Sequence, residues 1–207
     1  MDKLDLTKKY KSYYTAKAKP EVVEIEKAQF LSITGKGDPS GQAFAEKLQG
    51  LYSMAYTIKF MMKEKGKDFT VAKLEGLWWY DEEKYGAPSI SEAPQKVPRS
   101  EWEYRLLIRM PDFVTRQHIE TARHTVVSKK GIALAAETGL FEMAEGKTVQ
   151  MLHVGPFDKE PETLEQMAAF MRDKNFKRNG LHHEIYLSDF RKTAPAKLKT
   201  ILREPVM

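Results

Sequence analysis

The segment 182–188, HHEIYLS, holds the side chains best suited to chemistry. Its alternation indicates a strand, in which successive side chains point to opposite faces of a sheet. One face carries His183, Ile185 and Leu187, and we expect this largely apolar face to meet the helices. The other face presents a carboxylate flanked by aromatic rings, and its members are His182, Glu184, Tyr186 and Ser188.

Glu184 is the candidate catalytic group of this face. A carboxylate among aromatic rings is partly desolvated, and such an environment suits a general base or acid near neutral pH. The same environment also suits recognition of a cationic ligand without any reaction, whereas a solvent-exposed strand carboxylate would do neither. The pattern leaves these alternatives open.

Aromatic residues surround the same region of the chain. All three tryptophans, Trp78, Trp79 and Trp102, lie on predicted strands of the first half. Strand parity assigns Trp79 to the core and Trp78 to a cleft, and it places Trp102 and Tyr104 on one face. Such rings either fill a core or stack on flat ligands. We therefore treat Trp78, Trp102 and Tyr186 as candidate substrate-binding residues.

A second aromatic stripe, Tyr52, Tyr56 and Phe60, follows a predicted helix. Packing in the core or at the helix edge is the simpler role, but Tyr56 and Phe60 are retained as candidate ligand contacts. His182 and His153 complete that set. His182 and His183 are adjacent, so on a strand they point apart and do not share a metal. His118, His124 and His153 show no ligand spacing, and we expect neither a metal site nor a cofactor.

Hydrophobic periodicity predicts the elements that position these residues. Strands are predicted at 22–34, 70–80, 102–110, 148–154, 182–188 and 198–204. Helices are predicted at about 44–64, 115–129 and 161–175. The first helix has apolar residues spaced by four and three, at Phe44, Leu48, Leu51, Ala55, Ile58 and Met62.

The predicted elements repeat along the chain. Residues 30–48 align with 150–168 without a gap, GLWWYD (76–81) aligns with EIYLSD (184–189), and LLIRMP (106–111) aligns with TILREP (200–205). This order predicts an α+β fold of two βαββ units related by a pseudo-twofold axis. The helices would cover one side of antiparallel sheets, and a central ligand cleft would lie on the other side. The alignment also places Gly76 over Glu184, which would leave room for a ligand beside the acid.

Composition limits the function classes. The chain of 207 residues has no cysteine, no apolar run long enough for a transmembrane helix and no secretory signal, so we expect a cytoplasmic protein. The net charge is +5, and residues 1–19 hold six lysines against two acidic residues. Because the remainder is nearly neutral, we expect neither a nucleic-acid nor a membrane partner, and we interpret 1–19 as a solvated basic extension that is able to fold back.

The closing segment, HHEIYLSDFRKTAPAKLKTILREPV (182–206), resembles that of the GyrI-like small-molecule-binding family. LYSMAYTIKFMM (51–62), LEGLWW (74–79), MPDFVT (110–115) and MLHVGPF (151–157) resemble its stand-alone subfamily. One departure is Phe190, where the family commonly has proline, and we expect it to alter a turn and not the cleft. The resemblance covers almost all of the chain after residue 20.

The resemblance implies a tandem SHS2 domain over 20–207, with halves at about 21–111 and 147–207 and a bridging helix at about 115–130. It also implies that Glu184 meets planar aromatic or cationic small molecules in a central pocket. Members of the stand-alone subfamily are implied to hydrolyse cyclopropane-bearing DNA-alkylating natural products and so to protect the cell. Glu184 would then activate water, and Tyr104 or His182 would donate a hydrogen bond to the developing phenolate.

Two other functions remain open at this point. A non-enzymatic small-molecule or multidrug-binding protein would use the same pocket and leave its ligand unchanged. A protein–protein inhibitor is the third possibility, since some relatives act on a topoisomerase, but the basic extension and the nearly neutral body give it little support. The sequence leaves the oligomeric state open.

Overall fold

The computed structural model describes residues 3–207. Its strands are β1 (Leu4–Asp5), β2 (Glu21–Ile25), β3 (Ala28–Lys36), β4 (Phe69–Thr70), β5 (Leu74–Trp79), β6 (Glu103–Arg109), β7 (Gly139–Met143), β8 (Gly146–Val154), β9 (His182–Tyr186) and β10 (Lys199–Pro205). Its α-helices are α1 (Leu6–Lys9), α2 (Gln42–Glu64), α3 (Glu82–Tyr85), α4 (Ala93–Lys96), α5 (Arg116–Lys130) and α6 (Glu160–Asp173).

Eight of these strands form one antiparallel sheet in the order β2-β8-β10-β9-β5-β6-β3-β7. The first repeat supplies β3, α2, β5 and β6, and the second supplies β8, α6, β9 and β10. Within each repeat the third strand lies between the first and the second, and the two second strands, β5 and β9, join the halves. The predicted duplicated α+β fold is confirmed.

The pseudo-twofold axis passes between Gly76 and Glu184. These two residues occupy the same position in the aligned repeats, and they pair directly across the β5–β9 junction. Equivalent residues can face each other across an antiparallel pair only at the axis itself. The junction therefore brings the carboxylate of one repeat and the glycine of the other to the centre of the sheet.

A long ribbon links the two outer edges of the sheet. Ile25 pairs with Gly146 in the β2–β8 pair, and three residues on, Ala28 pairs with Met143 in the β3–β7 pair. The pairing register is therefore the same in both pairs, although residues 26–27 between β2 and β3 are unpaired. The strand predicted at 22–34 is thus divided into β2 and β3, and β7 was not predicted.

Helix α2 buries the apolar stripe that its periodicity predicted. Phe44, Leu48, Leu51, Ala55, Ile58 and Met62 are all buried in the largest core cluster. That cluster also contains Trp78, Tyr104 and Tyr186, so the side chains of this sheet face point towards α2. Helix α5 packs against α2 of the first repeat, and it begins at a capping box formed by Thr115 and His118.

This arrangement corrects the predicted side of the cleft. The face that carries Glu184 and Tyr186 is the helix-bearing face, and the face that carries Ile185 packs instead against the N-terminal segment. Alternation separates the two faces of a strand but does not identify which one the helices cover, because here both faces are buried. The candidate site therefore lies between the sheet and the helices.

The N-terminal segment folds back onto the protein, which the sequence analysis allowed, but part of it is buried and not solvated as expected. Strand β1 pairs with β4, and Leu6, Tyr13 and Tyr14 are buried. The Tyr13 ring stacks on the guanidinium groups of Arg109 and Arg203, which occupy equivalent positions in the two repeats, at 4.8 and 4.3 Å from the ring centroid. The segment thus covers the opposite face of the sheet near the pseudo-twofold axis.

Candidate functional site

Glu184 lies in a short chain of ionisable side chains on the helix-bearing face. His182 Nε2 lies 3.3 Å from Glu184 Oε1, and His182 Nδ1 lies 2.5 Å from Glu204 Oε1. Arg178 Nε donates to the other oxygen of Glu204 at 3.3 Å. Glu204 is fully buried, whereas the Glu184 side chain keeps 13% of its exposure. Of the two carboxylates, Glu184 is the one that a ligand can reach.

His182 holds this carboxylate in place. Burial alone would lower the pKa of His182, but the carboxylates of Glu204 and Glu184 outweigh it and raise the pKa to about 10. The imidazole is therefore a cation at neutral pH, and both of its N–H groups face carboxylates. This differs from the predicted role of His182 as a donor to the ligand, because no N–H of the ring is left for one.

Trp78 and Tyr186 occupy the space beside Glu184. Trp78 Nε1 donates to the Tyr186 hydroxyl at 3.1 Å, so a hydrogen bond joins equivalent residues of the two repeats. A Cβ at Gly76 would lie 2.9 Å from Trp78 Nε1 and 3.1 Å from the Tyr186 hydroxyl. The space beside Gly76, which we expected to accommodate a ligand, is therefore filled by this pair of side chains.

Tyr104 contributes its ring to the same cluster. It contacts Trp78 at a centroid distance of 5.5 Å and Phe44 of α2 at 4.9 Å. Its hydroxyl lies over Gly35 on β3, on the side of the ring away from β9, and has no hydrogen-bond partner among residues 3–207. The proposed donor function of Tyr104 thus stays a prediction.

Glu160, the first residue of α6, is a second carboxyl group that the sequence analysis missed. The residue is buried, and its Oε1 atom has no hydrogen-bond partner in the described part of the chain. Burial and the Glu184 carboxylate raise the pKa of Glu160 well above its usual range, against the opposing effect of His182. The site therefore brings together two carboxyl groups, and the surroundings of Glu160 favour its protonated form.

Aromatic rings rim the site on the solvent side. Phe157 precedes α6 and Phe190 follows β9. Their ring centroids lie 6.0 Å apart, and the centroid of the Tyr186 ring lies 6.0 Å from that of Phe157 and 6.1 Å from that of Phe190. A cavity of about 250 Å³ lies next to these rings, with Tyr186, Phe190, Tyr52 and Tyr56 in its wall, but Glu184 and Trp78 do not line it. The expectation that Phe190 alters only a turn was wrong, because its ring lines this cavity.

Four of the candidate residues lie elsewhere or at the margin. Trp102 packs on Tyr80 and donates to the Val97 carbonyl, outside the cavity. Tyr56 reaches the cavity wall, whereas Phe60, one turn further along α2, is 54% exposed and does not line it. His153 is buried and bonds to the Thr163 hydroxyl and the Pro156 carbonyl, where it ties β8 to α6.

His183, expected on an apolar face, is instead part of a buried ionic network. Its Nε2 lies 3.0 Å from Glu75 Oε2, and its Nδ1 lies 2.9 Å from Glu145 Oε1. These carboxylates raise the pKa of His183 to about 9 in spite of burial. Tyr13 and Tyr14 donate to Glu75 at 2.6 and 3.4 Å. These ion pairs and hydrogen bonds stabilise the sheet on the face opposite to Glu184.

Two further features concern residues 3–207 only. They contain no group of three histidine or acidic side chains that could hold a metal ion. Within the same residues, none of the helices is both long and apolar enough to cross a membrane.

The family model of the GyrI-like small molecule binding domain matches residues 103–206. A protein from Listeria innocua, described as an uncharacterized conserved protein, has a similar structure, with a TM-score of 0.88 and 38% identity over 99% of this chain and 100% of that one. A second Listeria innocua structure, described as a hydrolase, is 38% identical with a TM-score of 0.83 over the same shares of the two chains.

The C-terminal domain of EcmrR shares the fold, with a TM-score of 0.57 and 11% identity over 91% of this chain and 97% of that one. Among curated proteins no match was found. The match to the family model and the likeness over the whole length of the two Listeria proteins agree with the duplicated sheet described above. The chain belongs to the GyrI-like small-molecule-binding family.

Proposed function

We propose that this protein is a hydrolase that opens the cyclopropane ring of flat, DNA-alkylating natural products and thereby detoxifies them. The observation that carries the proposal is the placement of Glu184, a partly exposed carboxylate held by the His182 cation beside the Trp78–Tyr186 pair. The hydrolase description of a relative that is 38% identical supports a reaction over binding alone.

The substrate class is a polyaromatic compound with a cyclopropane fused to a dienone. Its planar body suits the aromatic side chains of the site, which are Trp78, Tyr186, Phe157 and Phe190. These rings exclude bulk water, so a single water molecule held by Glu184 would be the nucleophile nearest to the strained ring. Stacking supplies affinity for flat compounds in general, and the reactive ring selects those that are converted.

Glu184 acts as the general base. It accepts a proton from the attacking water while the water oxygen bonds to a cyclopropane carbon, the strained carbon–carbon bond breaks, and its electron pair moves to the dienone oxygen. His182 is a positioning residue, because its two N–H groups fix the carboxylate of Glu184 relative to Glu204. A positioned base contributes about 100- to 10,000-fold to such a rate.

The test compares wild-type protein with Glu184→Gln and Glu24→Gln after incubation with a cyclopropane-bearing alkylator. Glu24 is an exposed carboxylate on β2, so its variant controls for a glutamate-to-glutamine change outside the site. Mass spectrometry should detect the ring-opened product, heavier by one water, with wild type and Glu24→Gln. Turnover by Glu184→Gln equal to wild type would contradict the proposal.

The competing function is binding without chemistry. In that case calorimetry would give stoichiometric binding of a planar cation or of the alkylator itself, and the recovered ligand would be unchanged. The same aromatic side chains would account for affinity in either case. Product formation, and not affinity, therefore distinguishes hydrolysis from binding alone.

A further inference from the structure

Glu160 is a buried acid at the start of α6 with one unpaired oxygen. The residue is 8% exposed, and its Oε1 atom has no partner among residues 3–207. An unpaired buried carboxyl group costs free energy that an apolar residue at the same position would not. Such a group at the start of α6, facing a candidate catalytic carboxylate, indicates a role in the site.

The charged groups around Glu160 come from the sheet. The charges of Glu184 and His182 on β9 both affect the pKa of Glu160. Glu160 and Glu184 both raise the pKa of Tyr186, and Glu204 on β10 pairs with the other nitrogen of His182. Burial and the Glu184 charge favour the protonated form of Glu160, and His182 opposes them. Two adjacent carboxyl groups with one proton between them are a common means of providing an acid and a base together.

We propose that Glu160 is the catalytic acid of the site, which donates its proton to the dienone oxygen while Glu184 takes a proton from water. This inference rests on the hydrolase function proposed above. It assigns separate tasks to two glutamates, one at the start of α6 and one on β9.

Glu184 and Glu160 together account for every proton that moves in the reaction. One proton of water moves to Glu184, the hydroxyl oxygen bonds to the ring carbon, and the broken carbon–carbon bond delivers its electrons to the dienone oxygen. The proton of Glu160 neutralises that oxygen and gives a phenol. Transfer of the new proton from Glu184 to Glu160 restores the starting state, and the net change is the addition of one water.

The other candidate donors are less well placed. Both N–H groups of His182 face carboxylates, and the Tyr104 hydroxyl lies over Gly35, away from β9. Burial and the charge of Glu184 both favour the protonated form of Glu160, as a proton donor requires.

The experiment measures turnover and ligand affinity of Glu160→Gln, Glu160→Asp, Tyr104→Phe and Glu162→Gln. Glu162 lies in the same first turn of α6, but its side chain is 70% exposed, so it is the matched control. We expect Glu160→Gln to lower kcat/KM by about 100-fold or more while affinity for an unreactive flat analogue changes by less than about twofold. Glu160→Asp should restore part of the rate, Glu162→Gln should resemble wild type, and Tyr104→Phe tests the alternative donor.

The pH profile separates a catalytic from a structural role. Wild-type kcat/KM should be bell-shaped, with the alkaline limb due to loss of the Glu160 proton, and Glu160→Gln should lack that limb. Infrared spectroscopy at neutral pH should also detect a protonated carboxyl group that is absent in Glu160→Gln and present in Glu162→Gln.

The outcomes distinguish this inference from the proposed function. If wild type opens the ring and Glu160→Gln retains its rate within about threefold, the acid role is overturned and the hydrolase function stands. If Tyr104→Phe loses the alkaline limb instead, Tyr104 is the acid and this inference is equally overturned. If wild type opens no ring, the proposed function fails, and the catalytic role of Glu160 fails with it.

Discussion

Gly76 and Glu184 face each other across the β5–β9 junction, on the pseudo-twofold axis of the sheet. The two halves of the duplicated fold differ at this pair, with no side chain on one strand and a carboxylate on the other. The space above the glycine holds the hydrogen bond between Trp78 and Tyr186. Gly76 therefore makes room for the aromatic pair that lies beside the carboxylate.

Gly76→Ala is expected to disrupt the site more than the fold. A methyl group would lie 2.9 Å from Trp78 Nε1, so the indole or the Tyr186 hydroxyl must shift and their hydrogen bond is lost. Loss of one such bond costs about 1 kcal/mol of stability, whereas affinity for a flat ligand should fall by about tenfold or more. Thermal melting and ligand titration measure the two effects.

Gly139→Ala is the matched control for that change. Gly139 also lies in a strand, β7, but a Cβ there meets no atom within 4 Å. It should leave ligand affinity unchanged. Equal losses of affinity in the two variants would contradict the proposed role of Gly76.

Glu160→Gln is expected to stabilise the protein at neutral and alkaline pH. Because the pKa of Glu160 is raised in the folded state, the unfolded chain releases this proton more readily, and folding stability falls as pH rises above the ordinary glutamate value near 4.5. Each pH unit in that window costs about 1.4 kcal/mol, and the variant avoids this cost. Melting temperatures of wild type and variant should therefore coincide near pH 4 and diverge as the pH rises above it, and a constant difference would contradict a raised pKa of Glu160.

The opposite sign applies to His182. Its folded-state pKa of about 10 exceeds its ordinary value of 6.5, so the stability it contributes is complete below pH 6.5 and is lost as pH rises towards 10. His182→Asn should lower the free energy of unfolding by about 3 kcal/mol at pH 6, because Glu204 loses its buried partner, and by much less at pH 10. Chemical denaturation at the two pH values measures this difference, and a pH-independent loss would count against a charged His182.

Tyr13→Phe tests the docking of the N-terminal segment. The Tyr13 hydroxyl donates to buried Glu75 at 2.6 Å, so its removal weakens the His183 network and should cost about 1–3 kcal/mol. Tyr10→Phe is the control, since it keeps the ring that stacks on Arg109 and alters a half-buried residue. If Tyr10→Phe destabilises the protein as much as Tyr13→Phe does, the Glu75 hydrogen bond is not what holds the segment.

The duplication and the grouping of Glu184, Tyr186 and Trp78 could be predicted from the sequence. Period-two and period-3.6 patterns record which side chains share a face, and the aligned repeats record which strands are equivalent. These signals predicted the buried stripe of α2 and the facing positions of Gly76 and Glu184.

The sheet face covered by the helices, the place of the N-terminal segment and the role of Glu160 could not be predicted in the same way. Both sheet faces are buried, so polarity did not distinguish them. The lysines of residues 3–19 indicated solvent, although Tyr13 and Tyr14 between them are buried. A glutamate in the first turn of a helix is usually explained by its favourable interaction with the helix dipole. For this reason the sequence did not single out Glu160.

The most direct test of a Glu184-activated hydrolysis is a single-turnover reaction in water labelled with heavy oxygen. Excess wild-type enzyme is mixed with a cyclopropane-bearing alkylator, and the product is analysed by mass spectrometry beside Glu184→Gln. The account predicts one labelled oxygen in the ring-opened product of wild type, and bound but unreacted compound with Glu184→Gln. Recovery of unreacted compound from wild type, or equal labelled product from both proteins, would contradict it.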